Sequence, residues 1–205
     1  MNAATSTTPD ADLLRAMRNG AADAFAALYR RHQGPLYRFA LLRCGSSATA
    51  ADVVQEAFMG LLTERFRFDP LRGQLAPFLF GVARNLILKL EEDRRHVALP
   101  AFEAAEDGRS DGDDPEPDQP LDNHGPLARL LDNEAAEQVR RALAQLAPHY
   151  RDVVILYEMH ELSYAEIADI CQVDIGTVRS RLSRGRAALA KRLAGWQVAP
   201  ALAQA

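Results

Sequence analysis

Between Gly176 and Arg192 the chain carries cations and hydroxyls at helical intervals, and from Ile175 to the last residue there are six Lys or Arg and no Asp or Glu. At 100° per residue, Val178, Leu182, Gly185 and Leu189 share one narrow stripe that must pack on the helix just before it. The opposite side presents Gly176, Thr177, Ser180, Ser183 and Arg184, with Arg179 and Arg186 along one edge and Arg181 along the other. Such a face suits a helix that reads DNA. Small residues permit close approach, hydroxyls and guanidinium groups reach base edges, and flanking arginines hold phosphates. Six cations alone describe an ordinary solvated face, so the case for DNA depends on how the helix is mounted.

The mounting lies just upstream. Ser163 and Glu166 have capping-box spacing: the serine oxygen accepts from an orphan backbone N–H and the glutamate reaches back to the cap. They start a first helix in which Ile167 and Ala168 face inward. Cys171-Gln172-Val173 turns the chain, and Asp174 is placed to cap the second helix, its charge meeting the positive end of the helix dipole. Two short helices around a tight turn, the second one basic, form a helix-turn-helix.

No other constellation competes. There is no nucleophile paired with a base, no metal-ligand cluster and no phosphate loop, so neither an enzyme nor a cofactor or metal site is expected. Cys44 and Cys171 lie far apart and read as reduced thiols serving as small core residues. No stretch approaches the ~20 apolar residues of a membrane span, and no basic start leads into an apolar run, so a cytoplasmic protein without membrane contact is expected.

The 205 residues, with net charge -4, divide by charge into three parts. Residues 1–96 carry +3, residues 97–126 carry -8 and residues 127–205 carry +1. The middle part holds nine acids and five prolines without apolar periodicity, and reads as a flexible linker with a root-mean-square span of roughly 30 Å and a contour of ~100 Å. It could join domains held well apart. The fold class expected is all-α: two small helical domains, 1–96 and 127–205, joined by this acidic linker, the second ending in the helix-turn-helix.

In the first domain, helical spacing runs through Leu13, Leu14 and Met17, then Phe25, Leu28, Tyr29, Leu36, Phe39 and Ala40. Gly34-Pro35 is expected to interrupt the second segment. Cys44-Gly-Ser-Ser47 closes it and caps a helix to about Arg65, where Asp52, Gln55 and Glu56 form one polar patch that either docks a partner helix or is simply solvated. Phe66 to Gly73 is a breaker-rich loop, and Pro77 belongs to the first turn of a last helix whose apolar positions Phe78, Leu79, Val82, Leu86 and Leu90 recur every three or four residues. Of Phe66, Phe68, Phe78 and Phe80 most should pack a core, while some could stack an extruded base. Arg72, Arg84 and Asn85 suit phosphate and base contacts. In the second domain, apolar spacing resumes at Leu127 and runs through Leu130, Leu131, Val139, Leu143 and Leu146, and after Pro148 through Val153, Val154, Leu156 and Tyr157.

Together these motifs resemble the sigma factors of bacterial RNA polymerase, specifically the extracytoplasmic-function group of the sigma-70 family. Leu162-Ser-Tyr-Ala-Glu-Ile-Ala168, Gly176-Thr-Val-Arg-Ser-Arg-Leu182 and Arg184-Gly-Arg186 are similar to that family's region 4. Ala51-Asp-Val-Val-Gln-Glu-Ala-Phe58 resembles its core-polymerase-binding helix. Phe68-Asp-Pro-Leu-Arg-Gly73 with Pro77-Phe-Leu-Phe-Gly-Val-Ala-Arg-Asn85 resembles its segment for opening the −10 element. The resemblance covers residues 20–96 and 135–193. It implies a transcription initiation factor that binds core RNA polymerase at its clamp and flap, and promoter DNA. Thr177, Arg179, Ser180, Arg181, Ser183, Arg184 and Arg186 would lie on the −35 element, and Phe68, Arg72, Arg84 and Asn85 on the −10 element. Asp52, Gln55, Glu56 and Phe58 would lie on the polymerase. It further implies control by an anti-sigma factor and a linker that threads the polymerase. Phe78 stands where the family usually has tryptophan, Gln172 where the turn usually has glycine, and Gly185 where alanine is common; Gln172 must then adopt φ > 0 at a cost of roughly 1 kcal/mol, or the turn must differ. A conventional helix-turn-helix regulator acting without polymerase is the alternative.

Overall fold

The computed structural model describes residues 8–98 and 126–194. These form eight α-helices and no strand, in keeping with the all-α expectation: α1 Asp10–Arg18, α2 Ala22–Cys44, α3 Ser47–Leu62, α4 Leu75–Ala98, α5 Pro126–Ala144, α6 Pro148–Glu158, α7 Tyr164–Cys171 and α8 Ile175–Leu193. Helices α1–α4 build one body around Leu14, Leu28, Phe39, Phe58, Leu61 and Leu79. Helices α5–α8 build a second around Leu143, Val153, Ile155, Ile167, Val178 and Leu182. Of the acidic stretch 97–126, the first two residues extend α4 and Pro126 begins α5; the rest lies outside the described residues.

The expected break at Gly34-Pro35 does not occur, since α2 runs 23 residues through Pro35. A mid-helix proline forfeits one backbone hydrogen bond and crowds the preceding turn, costing ~3 kcal/mol. The turns beyond it bury Leu36, Phe39, Ala40 and Arg43 to within 1% of complete burial. Two large apolar side chains alone supply ~1.5–3 kcal/mol each, enough to carry the helix on through the proline.

The corner after α2 forms as its residues suggest. Gly45 takes the left-handed conformation at φ 72° and the Ser46 hydroxyl accepts from the Thr49 N–H at 3.2 Å. Helix α3 stops at Leu62, three residues short of the expected end, because Phe66 folds back: its N–H donates to the Gly60 carbonyl at 2.9 Å and its ring lies against the Gly60 backbone. Any side chain at position 60 would collide with that ring.

In the helix-turn-helix, Ser163 and Glu166 form both halves of the capping box, the Ser163 N–H donating to Glu166 Oε2 at 2.9 Å. Gln172 adopts φ 54°, the strained alternative foreseen, and the Val173 N–H closes the turn on the Ala168 carbonyl at 3.0 Å. Asp174 sits at the N-cap of α8 without a side-chain cap hydrogen bond. Its backbone carbonyl instead accepts from Thr177 and Val178, leaving the exposed carboxylate to act only through the helix dipole.

The two bodies are not held apart. Helices α2 and α4 pack on α6 and α7, and between them lies a cluster of buried charge.

Candidate nucleic-acid and partner surfaces

On α8, Val178 and Leu182 are buried and Leu189 half-buried, as the stripe requires. Gly185, however, faces α6 rather than α7: a Cβ there would come within 2.7 Å of Val154 Cγ2. Its glycine therefore sets the approach of two helices, which explains the departure from alanine. On the other side Gly176, Arg179, Ser180, Ser183, Arg184 and Arg186 are exposed, and Thr177 and Arg181 half-buried. The Ser180 hydroxyl donates to the Thr177 carbonyl at 2.9 Å, which leaves its lone pairs free to accept. The Arg179 guanidinium lies 5.9 Å from the Tyr164 ring centre, and Arg186 lies 4.9 Å over Tyr157 while pairing with Glu158. Among the described residues Arg184 has no acid partner.

On α3, Asp52 and Gln55 are exposed and Glu56 partly so, the last paired with Arg65. They form one wall of a groove whose other wall is Leu86, Lys89, Leu90 and Asp93 of α4. Phe58 is elsewhere. It is 1% exposed, edge-on to Tyr29 at 4.8 Å, and belongs to the core that stiffens α3. Sequence reasoning missed Lys89, counted Leu90 only among the apolar positions of its helix although it is 37% exposed, and missed the exposed Met59 and Leu62 on α3. Met59 follows Gln55 by four residues, a spacing that would have added it to the patch.

The loop before α4 is held by Asp69, whose carboxylate accepts from the Leu71 N–H at 3.0 Å, and by Arg18, which donates to the Phe68 carbonyl at 2.9 Å. Phe68 is 7% exposed with its ring 5.1 Å from Phe78, and Phe80 is buried against Phe39 and His160. Arg72 and Asn85 are exposed in a groove whose far wall is Glu166 and Asp169 of α7 and Gln172 of the turn that follows it. Arg84 is drawn away from that groove.

Its Nε donates to Asp152 of α6 at 2.8 Å, and the opposite oxygen of Asp152 accepts from Arg43 Nε. Arg43 also donates to both oxygens of Glu91, at 2.6 and 3.0 Å, and Arg151 donates to the Arg43 carbonyl at 2.7 Å. Arg43 is fully buried and Asp152 1% exposed. Burial alone would lower the Arg43 pKa, but Glu91 and Asp152 hold it above its ordinary value. No local spacing announces this cluster. The one hint was that Arg43 completes an inward stripe with Leu36, Phe39 and Ala40.

Comparison with known proteins gives the chain a family. Residues 28–96 match the model for sigma-70 region 2, and residues 136–189 that for sigma-70, region 4. The chain is 32% identical, over 90% of its length and 84% of the relative's, to the ECF RNA polymerase sigma factor SigM of Mycobacterium tuberculosis. To the ECF sigma factor SigE of Mycolicibacterium smegmatis it is 31% identical over 82% of its length, spanning 60% of that protein. The solved sigma factor RpoE, in complex with the anti-sigma factor NepR from Bartonella quintana, has the same fold. Its TM-score is 0.65 at 24% identity, covering 84% of this chain and 98% of that one.

Proposed function

The chain belongs to the extracytoplasmic-function sigma factors of the sigma-70 family, and from that membership we propose that it directs core RNA polymerase to promoters, gripping the −10 element with α1–α4 and the −35 element with α5–α8. The observation that carries this is the order of the two regions, 2 then 4, joined to an exposed, acid-free cationic face on α8. Thr177, Ser180, Ser183 and Arg184 read base edges in the major groove, while Arg179, Arg181 and Arg186 hold phosphates. The α3–α4 groove takes the polymerase clamp through Asp52, Gln55 and Glu56, with Phe58 positioning them from behind. Arg72 and Asn85 meet the melted −10 strand directly; Arg84 and Phe68 join once freed from their present contacts.

The chain does no catalysis of its own, acts in the cytoplasm and needs no cofactor. The linker tethers the two grips. Control by an anti-sigma factor follows from the family, and the solved relative bound to one supports it.

Adding the purified chain to core polymerase lacking any other sigma, on genomic fragments of its host, should yield promoter-dependent transcripts. DNA binding without transcripts from any fragment would overturn this in favour of a conventional regulator.

A further inference from the structure

Arg179 and Arg186 stand about two turns apart on one edge of the α8 face, and each meets a tyrosine of the elements that mount the helix. The Arg179 guanidinium lies 5.9 Å from the Tyr164 ring centre and that of Arg186 4.9 Å from the Tyr157 ring centre, and the two rings pack on each other at 5.3 Å. Arg186 alone of the pair is also held by an acid, its Nε donating to Glu158 Oε1 at 2.5 Å. We propose that Tyr157 and Glu158 are positioning residues for the duplex-phosphate contact of Arg186: the ring and the carboxylate set its guanidinium before DNA arrives, and the Glu158 charge holds down sequence-independent binding. This rests on the assignment of α8 to duplex DNA made above.

The geometry leaves the working end of the guanidinium to a ligand. Glu158 takes Nε, so the fork of terminal N–H groups, whose shape fits a pair of phosphate oxygens, stays available. Tyr157 covers one face of the plane and is itself fixed, half-buried near the end of α6 and packed on the apolar core and on Tyr164. A free arginine gives up much rotamer freedom when it grips a phosphate, and a guanidinium already stacked and hydrogen-bonded gives up less. Arg184, which among the described residues has neither ring nor acid against it, must be ordered by the DNA itself.

Folding does not account for the ion pair. The side chains of Arg186 and Glu158 are 49% and 38% exposed, and pairs in that setting contribute little to stability. Beside a duplex the same carboxylate faces the incoming phosphates, and two like charges sharing one guanidinium repel. Phosphates carry no sequence information, so the repulsion acts on every duplex alike. The tyrosine strengthens the contact and the glutamate trims it, which separates the two residues by the sign of their effects.

The test titrates the full chain and the variants Y157L, Y157F and E158Q with a fluorescent random-sequence duplex across a range of salt. Y157L keeps the apolar bulk but has no π face. It should lose ~3-fold or more in affinity at low salt, with the slope of log K against log salt shallower by up to about 1, while Y157F should behave as wild type. Glutamine keeps an oxygen for Nε but no charge, so E158Q should bind about 2- to 5-fold more tightly, the gain shrinking as salt rises. Circular dichroism identifies the folded variants; should Y157L not be among them, the exposed change E158Q decides. A folded Y157L at wild-type affinity and slope, a Y157F as weak as Y157L, or an E158Q that binds no better than wild type overturns the proposal. If the variants leave a salt-dependent wild-type affinity unchanged, the positioning claim fails and the α8 assignment stands; a wild-type chain that binds no duplex at any salt fails both.

Discussion

Helices α8 and α4 carry the two candidate DNA surfaces, and their arginines meet opposite fates. On α8 the cations point outward, and among the described residues only Arg186 is committed to a carboxylate, the solvent-exposed Glu158. On α4 the side chain of Arg84 is 13% exposed and tied to a carboxylate 68 residues away. The face on α8 is made by neighbours in sequence and is finished when the helix forms. The face on α4 is defined by what packs against it, so its availability is a property of the two bodies together.

The sharpest way to break this contrast is to remove the charge at its centre. Arg43→Ala leaves the buried Asp152 with Arg84 as its one remaining guanidinium partner and should cost about 3–5 kcal/mol in urea unfolding. A loss under ~1 kcal/mol would mean the cluster is already hydrated in solution.

Acid should loosen the same contact by a separate route. His160 stacks on Phe80 across the two bodies, and burial, helped by Arg38, pushes its pKa from 6.5 down to about 4. Arg38, Glu161 and His32 share its cavity. Above pH 6.5 the imidazole is neutral whether folded or unfolded, and its contribution is intact. Between pH 6.5 and 4 the unfolded chain takes a proton that the folded chain refuses, so stability falls, by about 1–3 kcal/mol after allowing for partial exposure, and levels off below. His160→Asn should flatten this part of the pH profile; an unchanged slope would place its origin elsewhere.

On the open surface, Arg184→Ala should weaken binding to the −35 duplex by about 1–3 kcal/mol with stability moved by less than ~0.5 kcal/mol. A comparable fall in stability would show that Arg184 is structural. The smallest effect belongs to the turn that mounts α8. Gln172→Gly relieves φ 54° and should raise the melting free energy by about 0.5–1 kcal/mol, seen by calorimetry.

The same contrast marks what could be read from the residues. The capping box at Ser163 and Glu166 and the outward face of α8 depend on spacings of a few residues and were legible, while the positive φ of Gln172 was one of two alternatives that the family resemblance left open. Pro35 was misjudged because the burial of Phe39 and Arg43, which outweighs its local penalty, is tertiary. Phe58 and Phe68 became site candidates through the family resemblance, which gives a segment a role without saying how deep each of its side chains lies. The Arg43, Arg84, Glu91 and Asp152 cluster had no local pattern, since its members meet only when the bodies close.

The most direct measurement is energy transfer between labels on the exposed residues Ala48 of α3 and Ala187 of α8, first in the free chain and then on core polymerase. The account predicts one high-transfer population for the free chain and its loss when transcription-competent complexes form. Transfer that stays the same in active complexes would contradict it, because the −10 surface would then be open without any parting of the two bodies.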